Sequence, residues 1–439
     1  MIALLLAAGL SLRDVQDRAR TNDPRVQQAI AQLQNAQAKR EEVQYAWFPS
    51  IETTAYVAGP TPEHYLHDGA YAKNPTDPSA VKTLDFFGGQ MGAQLHADLQ
   101  VILPLYSFGK WAAGKGATQH LVGAQEALLS RARDQASFDA ARAYWGYQTA
   151  RNAGDAVQKI RNRLDDARKT ADKLLQEQSD QITKGDRLKL DYLTEEIEAT
   201  QATALKNRDL AITGMRSLLA LKPEEPLEVA QESLPDPPPQ PALVAVLQRA
   251  LEKRPEVHAT DEAVKARQAL VDLESARLWP DIALAGGARF TETTNASNPV
   301  SPFVFNPYHE ATGYVALALH GTFEIPQKLA RRRQAEADLA EALALRRGAE
   351  QLVRLEVSQA LGDLAEARVK VDRYTKETAI GKQLATQAGV AFDSGLGEAR
   401  ELLEDTLLYA RADGARLEAL YNAQLAWAAL EKAAGGPLQ

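Results

Sequence analysis

The sequence predicts an α+β fold made of two similar halves, each with long helices and one pair of strands. Three observations support this prediction: a pattern that occurs twice, four stretches in which apolar and polar residues alternate, and long glycine-poor segments with helical periodicity. Together they favour one quasi-symmetric unit over several unrelated domains.

The repeat is clearest around two prolines. Asp23-Pro24-Arg25-Val26 corresponds to Arg254-Pro255-Glu256-Val257, and each is followed later by an aromatic–proline step, Phe48-Pro49 and Trp279-Pro280. We divide the chain into a first repeat (12–221), a proline-rich linker (222–241) and a second repeat (242–435).

Period-two alternation predicts one strand pair in each repeat, at about 50–58 and 92–105 and at about 281–292 and 313–325. In the second strand, Leu95, Leu99 and Val101 share one face, and His96 and Asp98 share the other. Each pair encloses a long region rich in glycine, proline and asparagine. Loops of this length are uncommon in compact domains and are often functional.

The remaining segments are predicted to be helices. They run from about 12 to 46, 107 to 183, 241 to 278 and 326 to 393, with further helices after the second and fourth. The Asp23-Pro24 step restarts the first of these helices near its beginning. Val357, Leu361, Leu364, Ala367 and Val371 alternate steps of four and three residues. This spacing indicates coiled-coil-like packing.

Composition excludes several classes of protein. The net charge of −8 gives no reason to expect binding to nucleic acid, and without cysteine there are no disulfides or thiolate metal sites. No catalytic motif or metal-ligand spacing is present, so we predict neither an enzyme nor a cofactor. Residues 1–11 are apolar and fit either a signal remnant or the start of the first helix.

Four strands cannot close a barrel, and their apolar face would remain unburied in one chain. Strands of about ten residues, apolar on one face and polar on the other, with long loops, are typical of outer-membrane barrels. Self-association is therefore expected, and three copies would supply twelve strands.

The chain resembles the TolC-type outer-membrane efflux proteins from about residue 10 to residue 435. The residues that carry the resemblance are the helix–proline–strand junctions at Pro49 and Pro280, the segment 103–109 (Leu-Pro-Leu-Tyr-Ser-Phe-Gly), and two glycine motifs at Gly185 and Gly395. The resemblance implies a homotrimeric channel-tunnel in the bacterial outer membrane, with a 12-stranded barrel and a periplasmic helical barrel that ends in a gated tip.

The two glycine motifs lie where one long helix gives way to the next, and glycine is expected where the chain reverses. Glu401 and Glu404 follow the second motif. The resemblance implies that three copies of this pair form the acidic selectivity ring at the periplasmic entrance; ordinary solvated carboxylates in a first helical turn are the alternative.

Asp191 matches the family's gate aspartate. Phe392 and Gly397 stand where the family has a tyrosine and an arginine. We therefore expect either other closing contacts, with Arg187 and Arg400 as candidates, or a looser closure.

Aromatic residues collect at the predicted strand–helix junctions. They fit a belt at the membrane interface, and packing between strands and helices explains them equally well. The set comprises Trp47, Phe48, Tyr106, Phe108, Trp111 and Trp279.

The sequence therefore predicts a passive exit duct. The resemblance implies a periplasmic adaptor, an inner-membrane transporter and outer-membrane lipid as its partners. The alternative is a structural coiled-coil protein whose hairpins act as binding modules.

Overall fold

The structure, a computed structural model, describes residues 9–61, 92–177, 182–294, 308–394 and 396–438. The described elements follow the predicted order. They are α1 (Leu12–Asn22), α2 (Pro24–Gln44), β1 (Ser50–Thr61), β2 (Gly92–Tyr106), α3 (Lys110–Gln176), α4 (Lys184–Leu218), α5 (Leu243–Lys253), α6 (Pro255–Ala276), β3 (Asp281–Thr293), β4 (His309–His320), α7 (Ile325–Asp393) and α8 (Ala399–Ala433). The chain forms two compact units: a helical unit (Met1–Gln37, His120–Val264, Glu341–Gln439) and a sheet unit (Ala38–Gln119, Lys265–Ala340).

Each repeat begins with a broken helix. Asp23 separates α1 from α2, as the Asp-Pro step predicts, and Arg254 separates α5 from α6 with a similar ψ of 129°. The prediction of one helix from 241 to 278 was wrong at this second break. Proline removes a backbone donor and disfavours helical geometry in the residue before it, so Pro255 ends the helix at Lys253.

The long helices have 67 residues in α3 and 69 in α7. The predicted seam on α7 is packed, since Val357, Leu361, Leu364, Ala367 and Val371 are all buried. Alanine is frequent in the buried clusters of the helical unit, which suits close approach of helices. No described helix combines the length and the apolar character needed to cross a membrane.

The sheet unit contains one antiparallel sheet with the order β1-β2-β3-β4. The two predicted hairpins are therefore not separate: β2 of the first repeat pairs with β3 of the second along nearly its whole length. In register, Ile51, Val101, Gly286 and Val315 lie side by side on the apolar face. Large side chains on this face, including Val57, Val315 and Leu317, remain exposed.

The predicted end of β4 was wrong. The strand covers His309–His320 and not 313–325. A Cβ at Gly321 would lie 2.9 Å from the Cβ of Pro280, so the chain passes close to the start of β3 and leaves the sheet there. The Lys328 ammonium donates to the Thr322 carbonyl (2.7 Å) and holds the connection to α7.

The linker between the repeats is extended and is fixed by side chains of the helical unit. The amide of Gln148, on α3, donates to the Ala230 carbonyl (2.5 Å) and accepts from the Glu232 N–H (3.2 Å). Gln424, on α8, donates to the Pro235 carbonyl (2.8 Å). These bonds satisfy backbone groups in a segment that has no helix or strand apart from an isolated bridge between Val229 and Leu10.

Candidate functional site

The first glycine motif forms the beginning of α4. Thr183 caps this helix. Its hydroxyl accepts from the Asp186 N–H (3.2 Å), and the Asp186 carboxylate accepts from the Thr183 N–H (3.1 Å). Gly185 lies inside the first turn and does not have a positive φ. The expectation that this glycine reverses the chain was therefore wrong; the capping box directs the chain into α4.

Asp191 already has basic partners inside its own chain. The Arg187 guanidinium lies 2.5 Å from the Asp191 carboxylate and 2.6 Å from Asp172, and Arg168 approaches Asp191 to 3.2 Å. The hydrogen bond from Arg187 and the charges of Arg187 and Arg168 lower the pKa of Asp191. Arg187, a candidate closing residue, thus contacts Asp191 within one hairpin.

The second motif connects α7 to α8. Gly395 lies outside the described residues. The N–H groups of Leu396 and Gly397 both donate to the Ala391 carbonyl (2.8 and 3.0 Å). A Cβ at Gly397 would lie 2.8 Å from the Cβ of Ala391, so this close turn requires glycine.

Phe392 is part of a buried core. Its side chain is 1 % exposed and belongs to a cluster with Leu190, Leu193, Leu402 and Leu403 from α4 and α8. The residue that stands at the family's tyrosine position therefore holds the two helical hairpins together through apolar packing. It has no hydroxyl with which to reach a polar partner.

Glu401 and Glu404 are both exposed near the beginning of α8. The Arg400 guanidinium pairs with the Glu404 carboxylate at 2.9 Å, and this contact raises the pKa of Arg400. The two carboxylates are therefore not equivalent: one has an adjacent cation, and Glu401 has no ion pair among the described residues.

The junction aromatics stack on one another in the sheet unit. The Phe108 ring lies parallel to Trp279 (5.8 Å between centroids, 15°) and at an angle to Tyr106 (4.7 Å). Trp47 contacts Phe48, and the Trp111 indole N–H donates to the Val43 carbonyl (3.1 Å). Trp47, Phe48, Tyr106 and Trp279 are nevertheless more than half exposed. The aromatic rings thus pack partly on one another, and their place at a membrane interface stays a prediction.

Sequence reasoning missed the ion pairs that surround the motifs. Arg168 and Asp172 carry no motif, and only helical pairing across α3 and α4 brings them to Asp191 and Arg187. Within the described part of the chain, no cluster of histidine, aspartate and glutamate is suited to hold a metal ion.

Comparison with known proteins shows what the chain is similar to. Residues 246–436 match the family described as Outer membrane efflux protein. The fold is similar to that of the CmeC outer membrane channel of Campylobacter jejuni (TM-score 0.77, 16% identity, 97% of this chain and 85% of that chain). It is also similar to the MtrE outer membrane channel of Neisseria gonorrhoeae (TM-score 0.75, 18% identity, 98% of this chain and 90% of that chain). A third similar structure is the outer membrane protein VceC of Vibrio cholerae (TM-score 0.75, 16% identity, 97% of this chain and 96% of that chain).

None of the curated proteins matches the sequence significantly. The resemblance to the TolC-type outer-membrane efflux proteins is confirmed, since residues 246–436 match the family model and the fold is similar to that of solved outer membrane channels.

Proposed function

We propose that the protein is the outer-membrane exit duct of a tripartite efflux or type I secretion system. Three chains would close a 12-stranded barrel, and substrates would pass from periplasm to exterior without chemistry. A periplasmic adaptor and an inner-membrane transporter would complete the system and supply the energy.

The observation that carries this proposal is the exposed apolar face of the four-stranded sheet. Burying large apolar side chains is worth about 1.5–3 kcal/mol each, so a face with Val57, Val315 and Leu317 exposed requires an apolar environment. Lipid supplies that environment, and pairing of β1 with β4 of a neighbouring copy would satisfy both sheet edges. The alternative of two hairpin binding modules does not explain why the hairpins share one sheet.

Purification and planar-bilayer recording test the proposal. The protein should require detergent, migrate as a trimer and conduct ions. A monomer that is soluble without detergent would contradict the proposal.

We also propose Glu401 and Glu404 as an acidic ring at the periplasmic entrance, with Gly185, Asp191, Phe392, Gly395 and Gly397 at the gate. Because Arg400 pairs with Glu404, Glu401→Ala should lower the K⁺/Cl⁻ permeability ratio more than Glu404→Ala, and Arg400→Ala should raise it. Reversal potentials in a KCl gradient measure these ratios. Unchanged selectivity in the Glu401→Ala/Glu404→Ala double variant would remove both residues from the ring.

A further inference from the structure

The register of the sheet arranges the polar side chains in transverse rows. Each row takes one residue from each strand on the face opposite the exposed apolar residues. Three adjoining rows are Glu52–Gln100–Gly287–Tyr314, Thr54–Asp98–Arg289–Thr312 and Tyr56–His96–Thr291–Glu310.

The middle row is electrically neutral. The Arg289 guanidinium donates to the Asp98 carboxylate across the β2–β3 pair at 3.0 Å. The two flanking rows each contain one further carboxylate, Glu52 and Glu310. Thr312 donates its hydroxyl to Glu310 (3.0 Å), but among the described residues no basic side chain pairs with either glutamate.

His96 lies in the same row as Glu310 and is held on two sides. Its ring stacks on Tyr56 (4.8 Å between centroids, 23°), and its Nδ1 lies 3.0 Å from the hydroxyl of Thr291. The contact with Thr291 fixes the position of the ring on the polar face, whichever ring nitrogen carries a proton. Histidine is the side chain that ordinarily changes charge between pH 5 and 8.

We propose that these rows form a second, proton-tunable cation filter within the passage, separate from Glu401 and Glu404. The inference rests on the proposed function, because the polar face lines a lumen only if the sheet closes into a barrel. Asp98 and Arg289 cancel, so Glu52 and Glu310 leave two negative charges in the three rows of each chain. A proton on His96 reduces this to one.

The sheet register places several polar groups near His96 on the same face. They are Asp98 on its own strand, Tyr56 on β1, Arg289 and Thr291 on β3, and Glu310 in the same row on β4. Ionised groups along a pore wall with a low dielectric concentrate counter-ions, so a change of one charge in each of three chains would alter the ion population.

Planar-bilayer recording in the Glu401→Ala/Glu404→Ala background isolates the sheet from the helix turns. We expect Glu52→Gln/Glu310→Gln to lower the K⁺/Cl⁻ permeability ratio by about twofold or more at pH 7.5. The matched control is Glu292→Gln/His309→Gln. This pair lies on the opposite face of the same sheet, with 3.1 Å between the two side chains, and its replacement should leave the ratio unchanged.

The role of His96 is tested by comparing pH 7.5 with pH 5.5. The ratio should fall on acidification with His96 present and should not change in His96→Gln, whereas the Glu292→Gln/His309→Gln control should retain the fall. An equal fall in His96→Gln, or an unaltered ratio in Glu52→Gln/Glu310→Gln, would overturn the filter while leaving the channel intact. Protein that fails to form any conducting trimer would contradict the proposed function itself.

Discussion

The two helix breaks occupy equivalent places in the repeat, yet their charges are reversed. The first reads Asp23-Pro24-Arg25, and the second reads Arg254-Pro255-Glu256. The residue before each proline is buried, at 2 % exposure for Asp23 and 3 % for Arg254. One repeat therefore buries an acid at the position where the other buries a base.

In both repeats one arginine bridges two carboxylates. Arg25 contacts Asp23 (2.7 Å) and Asp139 on α3 (2.8 Å). Arg254 contacts Glu256 (3.1 Å) and Glu356 on α7. The set of charges is the same, and only the order around the proline differs.

The helix dipoles explain why either order is tolerated. The residue before each proline ends one helix and begins the next, so a negative charge there suits the second helix and a positive charge suits the first. Neither sign satisfies both helices. The pairing of the buried charge therefore matters more than its sign.

Removing each arginine should give the largest difference between the breaks. The carboxylates that each arginine holds differ in burial: Asp23 and Asp139 are 2 % and 9 % exposed, whereas Glu256 and Glu356 are 23 % and 40 % exposed. Arg25→Ala leaves two buried carboxylates without their shared cation and should lower the free energy of unfolding by about 3 kcal/mol. Arg254→Ala removes the buried charge itself, and Glu256 keeps a contact with Arg131 (3.3 Å), so this substitution should cost about 1 kcal/mol or less. Urea unfolding in detergent, followed by circular dichroism, measures both values.

An exposed arginine with only an adjacent partner in its own helix, such as Arg332, provides the baseline for charge removal. Equal costs for Arg254→Ala and Arg25→Ala would mean that the two breaks are energetically equivalent, and the role assigned to burial would then be wrong.

Asp23 should show an intermediate effect that depends on pH. Its carboxylate accepts from the Arg25 N–H (2.8 Å), which caps α2, so Asp23→Ala should cost about 1–2 kcal/mol at pH 7. Burial acts to raise the pKa of Asp23, but hydrogen bonds from the side chain and backbone of Arg25 outweigh it and lower the pKa. The stabilisation is therefore present above the unfolded-state pKa and is lost as pH falls through the folded-state pKa.

Unfolding experiments at pH 7 and at about pH 3 check this dependence. Asp23→Asn is the control, since asparagine can still cap the helix but does not titrate. A destabilisation by Asp23→Ala that is the same at both pH values would show that the cap alone, and not the charge, matters.

The repeat made much of the fold predictable. Pro24, Pro49 and Pro280 mark helix and strand ends by local sterics, and the alternation of Leu95 with His96 assigns the faces of β2. The joining of both hairpins through β2 and β3 was not predictable, because it depends on long-range pairing. The break at Pro255 could have been predicted by applying the first repeat to the second.

The candidate site was less predictable from sequence. Gly397 and Phe392 were located by the family resemblance, but the burial of Phe392 depends on leucines from α4 and α8. Similarly, Arg168 approaches Asp191 only because two helices pair. Contacts between distant segments have no local signature in one sequence.

Asp134 should give the smallest effect, with a sign opposite to that of Asp23. It lies on α3, 3.5 Å from Arg20 of α1, and Glu256 of α6 is among the charges that act on it. Burial is the main cause that raises its pKa. A carboxyl group whose folded-state pKa is raised destabilises the fold once pH exceeds its unfolded-state pKa, and the destabilisation is complete above the folded-state pKa.

Asp134→Asn should therefore increase the free energy of unfolding at pH 7 by about 1 kcal/mol or less and should have no effect at about pH 3. The loss of the contact with Arg20 reduces this gain only slightly, because a partly exposed pair at that distance contributes little. If Asp134→Asn instead destabilised the protein at pH 7, the contact with Arg20 would outweigh the cost of burying the carboxylate, and the sign assigned to Asp134 would be wrong.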